Sequence, residues 1–351
     1  MNGSSLNDDE TNDVLREDEE REAFIGLDPG TFFIRHPPPP NELDSFLTPD
    51  DQLFQTIHMG GAEVDVAKWR LVVTGMVDRP FSLTFAQLKR LPTKTITSFH
   101  ECYGSPLVPP TKALRRTGNV QWTGVPLHTL LEKAGIQAGA QYVWSEGLDR
   151  GSFAKLEADR YQKDLLLNKA TQSEVLIAYE MNGQPLSRNR GGPVRLSVPG
   201  YFGTNSTKWL CKLSVQDRRA PGIFTTTFYN ERYPPDDPTC EYKPIWKVQP
   251  NSMVVKPAPD VQLEGPEVAV EGWAWSYDGV EHVDVSADEG KTWSPAHLEQ
   301  RTEYSWQRYK AKLKLNKGNH TVLAKATGCD GRQQPLGEGR NHVHRVNIEV
   351  L

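Results

Sequence analysis

The sequence predicts an α+β domain followed by an antiparallel β-sandwich. The chain has 351 residues, which is more than one hydrophobic core usually serves, so two domains are expected. Between residues 23 and 217, short strand-like stretches are mixed with short helix-like ones. From residue 256 to residue 351 the helical patterns are missing, and strand-like segments follow one another at nearly regular spacing. That spacing is typical of a β-sandwich.

Two other segments differ in composition from these domains. Residues 1–22 are rich in Asp and Glu and contain few apolar residues, so they cannot bury enough surface to offset the entropy lost on ordering. We expect a disordered acidic tail there, with a regulatory docking role as the less favoured alternative. Residues 218–255 contain many prolines and are expected to form a connecting segment that packs along a domain surface.

The first domain is expected to begin with a strand and a capped helix. The apolar run Trp69–Gly75 predicts the strand. A helix is predicted over residues 84–91, since Thr84 is a suitable N-cap and Gln87, three residues later, completes a capping box. Pro92 disfavours any continuation of this helix.

Further elements of the first domain follow from similar local signals. A second helix is predicted over Leu127–Ala134, and Gly135 should end it. The apolar runs Val175–Tyr179 and Val194–Val198 predict strands, and a proline flanks the second run on each side.

The second domain is predicted to be built from strands joined by turns. Gly-containing turns are expected at Asp288–Gly290 and Lys317–Asn319. The strand-like segments are Val268–Gly272, Val280–Ser286, Trp306–Leu313 and His342–Val350.

Charge and hydropathy exclude several classes of function. The 45 acidic and 40 basic side chains give a net charge of -5, which argues against nucleic-acid binding, because that function needs a concentrated basic face. No apolar run reaches the roughly 20 residues that span a bilayer, and the first residues do not resemble a signal peptide. An intracellular, cytoplasmic location is therefore the expectation.

The four cysteines are too far apart to suggest a disulfide framework or a zinc site. They are Cys102, Cys211, Cys240 and Cys329, and no two of them form a CxxC pair. Cys102 lies in the stretch FHECYGSP at 99–106, where Gly and Pro indicate a loop beyond a strand. Alternate residues of an extended segment share a face, so His100 and Cys102 could point the same way. A thiolate binds a high-valent metal strongly, although a lone cysteine is more often an inert buried thiol.

A second stretch combines basic residues with glycines. AYEMNGQPL at 178–186 is followed by GGPVRLSVPGYFGTNSTKWL at 191–210. Arg190, Arg195 and Lys208 lie within or beside this Gly-rich run, where exposed backbone N–H groups and these cations could hold a phosphate or pyrophosphate. A solvated basic surface would explain the charges, but not their placement among Gly, Pro and aromatic residues.

These motifs resemble the molybdopterin-binding core of the sulfite oxidase family. The resemblance continues in ECYG at 101–104, TGVPLHTLL at 123–131 and SEGLD at 145–149. Further on, GWAWS at 272–276 and VDVSADEGKTW at 283–293 resemble the immunoglobulin-like dimerisation domain of the same family. The similar region covers residues 30 to 351, and it implies a sulfite-oxidase-type fold that binds a molybdenum-molybdopterin cofactor and forms a homodimer.

The resemblance implies roles for individual residues. Cys102 matches the thiolate ligand of molybdenum, and Tyr229 matches an active-site tyrosine. Arg190 stands where relatives usually have His. The expected cofactor-binding residues are Phe54, Gln55, Thr56, Ile57, His58, Cys102, Asp149, Arg190, Arg195, Ser206, Thr207 and Lys208.

Two departures from the family pattern affect the expected substrate. Relatives that oxidise sulfite usually carry Arg at the positions of Thr56 and Leu107, where a cation attracts the sulfite dianion. Arg115 or Arg116 could substitute if the loop after Cys102 folds back.

The expected activity is oxidation of sulfite to sulfate by oxygen-atom transfer. A sulfoxide or another small substrate is the alternative within the same chemistry, and a non-catalytic cofactor-binding scaffold is the alternative outside it. No haem attachment motif is present in the sequence, so no haem is expected in this chain. A separate acceptor, either a soluble carrier or oxygen, should take the electrons.

Overall fold

A computed structural model of the protein describes residues 23–28, 32–105, 115–232, 237–337 and 339–351. The expected acidic tail and Leu107 lie outside the described residues. Strands dominate the described chain, and the longest of its helices has only eight residues, so the helical part of the predicted α+β domain is small. No helix in these ranges is long and apolar enough to cross a membrane.

The first part of the chain, up to residue 250, contains eighteen short strands and four short helices among the described residues. Three 3₁₀ helices lie at Pro40–Glu42, Arg188–Arg190 and Gly203–Asn205. The helices are α1 (Phe85–Lys89), α2 (Leu127–Ala134), α3 (Leu167–Ala170) and α4 (Ile223–Thr226). The strands are β1 (Phe24–Leu27), β2 (Phe33–Arg35), β3 (Gln55–Ile57), β4 (Ala62–Val64), β5 (Arg70–Gly75), β6 (Phe81–Thr84), β7 (Lys94–Glu101), β8 (Thr117–Pro126), β9 (Tyr142–Gly147), β10 (Gly151–Phe153), β11 (Leu156–Ala158), β12 (Gln162–Leu166), β13 (Leu176–Met181), β14 (Gln184–Pro185), β15 (Arg195–Ser197), β16 (Leu210–Gln216), β17 (Asn230–Glu231) and β18 (Lys243–Pro244).

Two sheets enclose the core of this first part. One has the strand order β12-β9-β16-β5-β6, in which only β16 and β5 run parallel. The other has the order β14-β13-β8-β7, and β15 pairs with β13 beside it. Apolar side chains from both sheets, such as Leu71, Leu213, Val125 and Ile177, are buried in one cluster together with residues of α2. Burial of this apolar surface is the main stabilising contribution to this part of the fold.

Local signals in the sequence correctly predicted the two longer helices. The Thr84 hydroxyl accepts a hydrogen bond from the N–H of Gln87 at 3.1 Å, and the Gln87 side-chain oxygen accepts one from the N–H of Thr84 at 2.8 Å. This is the predicted capping box at the start of α1. Gly135 ends α2 with a φ of +72°, in the left-handed region that glycine adopts without steric cost.

The second part of the chain consists of strands. They are β19 (Asn251–Lys256), β20 (Val261–Leu263), β21 (Glu267–Trp275), β22 (Val280–Ser286), β23 (Ser294–Pro295), β24 (His297–Leu298), β25 (Gln307–Lys314), β26 (Gly318–Gly328) and β27 (His344–Val350). The bounds of β22 match the sequence prediction, and β21, β25 and β27 overlap the other three predicted strands. The sequence prediction missed β19, which lies in the expected connecting segment, and β26, which begins inside an expected turn.

Two sheets share the core of this second part. The first has the order β19-β21-β25-β24, and the second has the order β20-β27-β26-β22-β23. Val254 and Val270 of the first sheet are buried in one cluster with Val283, Val322 and Val346 of the second. The strand pairs are antiparallel except for β20 with β27, which is parallel.

The two parts of the chain contact each other through tryptophans and one buried carboxylate. Trp273 and Trp306 stack at 4.7 Å between ring centres, and the Trp273 indole N–H donates to the carbonyl oxygen of Leu43 at 2.7 Å. Glu101, the last residue of β7, accepts a hydrogen bond at 2.6 Å from the indole N–H of Trp275. Because Cys102 follows directly, this bond from the second part of the chain holds the end of β7 that leads into the cysteine.

Candidate active site

One cavity of about 690 Å³, counted with its opening to solvent, collects most of the residues that the sequence analysis selected. Thr207 is the exception, since its side chain is buried outside the lining and shares a hydrogen bond of 2.7 Å with Ser145. The lining residues are Leu53, Phe54, Gln55, Thr56, Ile57, His58, His100, Cys102, Tyr103, Asp149, Tyr161, Arg190, Arg195, Gly203, Thr204, Ser206, Lys208, Trp209 and Tyr229.

Cys102 lies directly after β7, as the sequence predicted for a loop beyond a strand. Its backbone N–H donates to the carbonyl oxygen of Arg116 at 2.9 Å, and its thiol is 3.8 Å from the Thr56 hydroxyl. His100, two residues earlier, lines the same cavity and stacks on Phe54 with 5.5 Å between ring centres. The partly exposed thiol of Cys102 therefore faces a cavity rather than a packed core.

Arg195 and Lys208 form a concentration of positive charge in the wall. Arg195 is buried and donates to the carbonyl oxygens of Arg190 and Ser206 at 3.0 Å each, and no carboxylate among the described residues pairs with it. Burial lowers its pKa to about 9, and the charge of Arg190 acts in the same direction. Burial and both neighbouring arginines lower the pKa of Lys208, whose Nζ is 2.7 Å from the carbonyl oxygen of Thr56. An anionic group such as a phosphate would relieve this repulsion.

Arg190 is bound to a neighbouring loop of the protein. Its guanidinium pairs with Asp50 at 2.6 Å and donates to the carbonyl oxygens of Leu53 and Phe54 at 3.0 and 2.7 Å. These bonds fix the loop that leads into β3 (Gln55–Ile57) and so shape one wall of the cavity. Arg190 therefore acts on the cavity through this loop as well as through its charge.

Asp149 and Gln55 present polar atoms that have no protein partner. Asp149 Oδ1 and Gln55 Nε2 are buried and have no hydrogen-bond partner among the described residues. Burial raises the pKa of Asp149 to about 7, while the positive charge of Lys208 works against that rise. Unpaired buried polar atoms are costly, so an acceptor and a donor on two residues that line one cavity fit a ligand with hydrogen-bonding groups of its own.

Tyr229 follows α4 (Ile223–Thr226) and projects into the cavity. Its φ of +60° is unusual for a residue with a side chain. The hydroxyl group is 2.6 Å from Nε2 of His58. Burial raises the pKa of Tyr229 above its usual range, and the neighbouring Cys102 adds to this effect, so the phenol keeps its proton at neutral pH.

The sequence analysis missed other residues of the lining. Tyr161 donates a hydrogen bond at 2.7 Å to the carbonyl oxygen of Thr204, and no local pattern marks either residue as part of a site. Tyr103 could have been found, because it directly follows Cys102. Of the two arginines that could replace the missing cations, Arg115 donates to Asn251 at 3.1 Å, outside the lining. Arg116 lies beside the site: it donates to the carbonyl oxygen of Gly104, two residues after Cys102, and its charge acts to lower the pKa of Tyr229 against the effect of burial.

Comparisons with known proteins agree with this geometry. The family model described as an oxidoreductase molybdopterin binding domain matches residues 58–224, and the one described as a Mo-co oxidoreductase dimerisation domain matches residues 242–349. The chain is 30% identical to the mitochondrial sulfite oxidase of Rattus norvegicus, over 97% of this chain and 68% of that protein. It is 29% identical to the NADH nitrate reductase of Ulva prolifera, over 73% of this chain and 33% of that protein. The fold is similar to that of the sulfane dehydrogenase SoxCD from Paracoccus pantotrophus, with a TM-score of 0.77, 24% identity, and coverage of 100% of this chain and 96% of that one.

Proposed function

Because the chain belongs to the sulfite oxidase family of molybdopterin-dependent oxidoreductases, we propose that it oxidises sulfite to sulfate by oxygen-atom transfer. Relatives named sulfite oxidase and nitrate reductase both match the chain, so the substrate must be argued from the site. The observation that carries the proposal is a single cavity that combines the Cys102 thiol, the Tyr229 hydroxyl and the cations of Arg195 and Lys208.

The donor set of the cavity fits a molybdenum-molybdopterin cofactor. The Cys102 thiolate would bind the metal, because a soft sulfur donor suits it. Arg195 and Lys208 would hold the anionic phosphate end, since neither cation forms an ion pair with a carboxylate in the part of the chain that the structure describes. The unpaired atoms of Asp149 and Gln55 would bind the edges of the pterin. When bound, the cofactor supplies the two-electron redox change and oxygen transfer that protein side chains cannot provide.

The remaining polar side chains would bind and orient the substrate. Tyr229 keeps its proton and can donate a hydrogen bond to an anion. The cations of Arg195 and Lys208 make the cavity attractive to a sulfite anion over longer range. The overall reaction adds one oxygen atom, derived from water, to sulfur and releases two protons and two electrons. A separate soluble carrier or oxygen would accept the electrons.

One observation favours a neutral substrate, such as a sulfoxide that would be reduced. Thr56 occupies the loop position where a cation would contact sulfite, and its hydroxyl lies 3.8 Å from the Cys102 thiol. Arg115 donates to Asn251 and to the carbonyl oxygen of His342, and the guanidinium of Arg116 is bound to the carbonyl oxygen of Gly104. The Thr56 hydroxyl binds a neutral polar group as readily as an anion, while the positive charges that act at this end of the cavity are those of Lys208 on Cys102 and of Arg116 on Tyr229.

Molybdenum content and substrate kinetics test the proposal together. Protein purified from a host that makes the pterin cofactor is expected to contain about one molybdenum per chain and to turn over sulfite faster than a methyl sulfoxide. Turnover of the sulfoxide alone would show that the substrate is neutral and that the sulfite proposal is wrong. Folded protein without molybdenum would favour a non-catalytic scaffold. Cys102→Ser should abolish turnover. Full activity and metal content in that variant would disprove the ligand assignment.

We further propose that the second part of the chain is an immunoglobulin-like sandwich that joins two copies into a homodimer. The support is the match of residues 242–349 to a dimerisation domain and the pair of sheets around one core. The proposed division is residues 23–217, 218–255 and 256–351, with β19 (Asn251–Lys256) at its second boundary paired to β21 of the sandwich. An intracellular location stays a prediction. Light scattering should give twice the mass of the chain, and a monomer mass would contradict the dimer.

A further inference from the structure

His58 and Tyr229 are 171 residues apart in sequence, yet they form one hydrogen-bonded pair in the cavity wall. The distance between His58 Nε2 and the Tyr229 hydroxyl oxygen is 2.6 Å. Both residues line the cavity that also contains Cys102. The pair is therefore in a position to act on a ligand bound beside the thiol.

Aromatic rings surround the imidazole of His58 and keep it neutral. Phe153 and Phe224 contact it edge-on, at 4.9 and 5.1 Å between ring centres. Removal from water lowers the pKa of His58 to about 3, and the positive charge of Lys208 contributes in the same direction. At neutral pH a single proton therefore resides on either Nδ1 or Nε2.

The backbone and a buried lysine hold Tyr229 from the other side. The carbonyl oxygen of Tyr229 accepts a hydrogen bond from the N–H of Ile245 at 3.0 Å. Lys163 Nζ lies 5.5 Å from the centre of the Tyr229 ring and donates to the carbonyl oxygen of Phe224 at 2.8 Å. These contacts hold the ring in place, and the Thr204 side chain is a second hydrogen-bonding neighbour of the phenol oxygen. The direction of the phenolic O–H bond therefore decides which group the tyrosine binds.

We propose that His58 is a positioning residue whose Nε2–H donates to the Tyr229 oxygen and leaves the phenolic O–H free to donate to the substrate. In the opposite arrangement, the tyrosine proton would point at His58, and only oxygen lone pairs would face the ligand. A cavity that contains Arg195 and Lys208 is suited to anions, and lone pairs would repel them. This inference rests on the proposed function, because it assumes that the ligand beside Cys102 accepts a hydrogen bond.

The tautomer of His58 is the direct test and does not need turnover. In protein labelled with ¹⁵N at its histidines, the two-bond and three-bond couplings of the imidazole show which nitrogen carries the proton. Comparison with His58→Gln assigns the resonance. We expect a neutral imidazole with the proton on Nε2 at pH 7. A proton on Nδ1, or a doubly protonated ring, would overturn the proposal.

Variants test whether the pair acts on the substrate as a unit. His58→Met, which cannot donate, should lower kcat/KM for sulfite by about tenfold, the range expected for one oriented neutral hydrogen bond. His58→Gln, whose amide N–H can replace Nε2–H, should recover most of that loss. Adding His58→Met to Tyr229→Phe should cost little further activity, because the hydroxyl to be oriented is already absent. Independent losses in the double variant, or no recovery with Gln, would contradict the proposal.

Failure of this inference can be separated from failure of the proposed function. Molybdenum content and thermal unfolding show whether each variant is folded and loaded. If loaded wild-type protein turns over only a sulfoxide, the same variants are compared with that substrate. If it turns over neither substrate, the proposed function is wrong, and the proton position on His58 still decides the inference about the pair.

Discussion

Lys169 lies in a cage of tyrosine rings that joins the two parts of the chain, and replacing it with Met is expected to destabilise the protein strongly. Its ammonium nitrogen is 4.9 Å from the ring centre of Tyr304, 5.2 Å from that of Tyr277 and 5.4 Å from that of Tyr201. It also forms an ion pair of 2.6 Å with Glu174, which accepts a hydrogen bond from Tyr304 at 2.8 Å. Lys169, Glu174 and Tyr201 belong to the first part of the chain, and the other two tyrosines belong to the second.

The expected size of the effect follows from burial of the pair. The side chains of Lys169 and Glu174 are only 3% and 12% exposed. Removing one partner of such a pair costs about 3–5 kcal/mol, and each lost cation–π contact adds about 0.5 kcal/mol. Glu174 keeps its bond from Tyr304 and some solvent, and Met preserves most of the packing. These two effects reduce the sum of about 4.5–6.5 kcal/mol by roughly 2 kcal/mol, so we expect Lys169→Met to lower the free energy of unfolding by about 2.5–4.5 kcal/mol.

Urea unfolding followed by tryptophan fluorescence and circular dichroism would measure this loss. The matched control is Lys312→Met, because the Lys312 side chain is 78% exposed and its ion pair with Glu267 is 3.8 Å long. That control should change stability by less than about 0.5 kcal/mol. Lys169→Met combined with Glu174→Gln should cost less than Lys169→Met alone, since no unpaired carboxylate remains. If Lys169→Met is as stable as the control, the cage does not stabilise the contact between the two parts.

Two other changes test the cavity and the acid stability. Arg195→Met is expected to reduce molybdenum content at least tenfold while lowering the unfolding free energy of the metal-free protein by no more than about 2 kcal/mol, because no carboxylate in the described ranges pairs with the cation and only its bonds to carbonyl oxygens are lost. Parallel metal analysis and urea unfolding would show this, and a large loss of stability with normal metal content would contradict it. His344 accepts a hydrogen bond from the N–H of Val254 at Nδ1, and burial lowers its pKa to about 3. As the pH falls, the unfolded chain therefore protonates this histidine before the folded protein does. The contribution of the neutral, buried His344 to stability is complete above about pH 6.5 and is lost as the pH falls towards 3. In His344→Leu, the unfolding free energy should fall less steeply between pH 6 and pH 4, by up to about 1.4 kcal/mol per pH unit, and an unchanged slope in urea titrations would refute the assignment.

Elements whose signals are local could be predicted from the sequence. The helix α1 begins where Thr84 and Gln87 satisfy each other's backbone groups, and both residues lie within four positions of each other. The strand β22 alternates apolar and polar residues from Val283 to Ser286 and ends before a glycine turn. Because these signals come from neighbouring residues and agree with the rest of the fold, the elements that they predict are present in the structure.

Strands that depend on distant partners were less predictable. The strand β26 (Gly318–Gly328) contains glycine and charged residues that favour a turn, yet it pairs with β22 on one side and β27 on the other. Two neighbouring strands satisfy its backbone groups over its whole length, and this tertiary pairing outweighs weak intrinsic propensity. The Lys169 cage is unpredictable for the same reason, because its tyrosines come from three separate segments.

Arg190 and Arg195 illustrate why the roles of site residues need the structure. In the sequence they are equivalent, as two arginines five positions apart beside the same glycines. In the fold, Arg190 finds a carboxylate, Asp50, which lies 140 positions away, and its remaining donors bind loop carbonyl oxygens. Arg195 donates to carbonyl oxygens and lies over the ring of Trp122. No carboxylate of the described residues pairs with it, so an anion in the cavity can neutralise its charge. A sequence motif shows where cations are concentrated. Which of them binds a loop and which can bind an anion depends on partners far away in the sequence, such as Asp50.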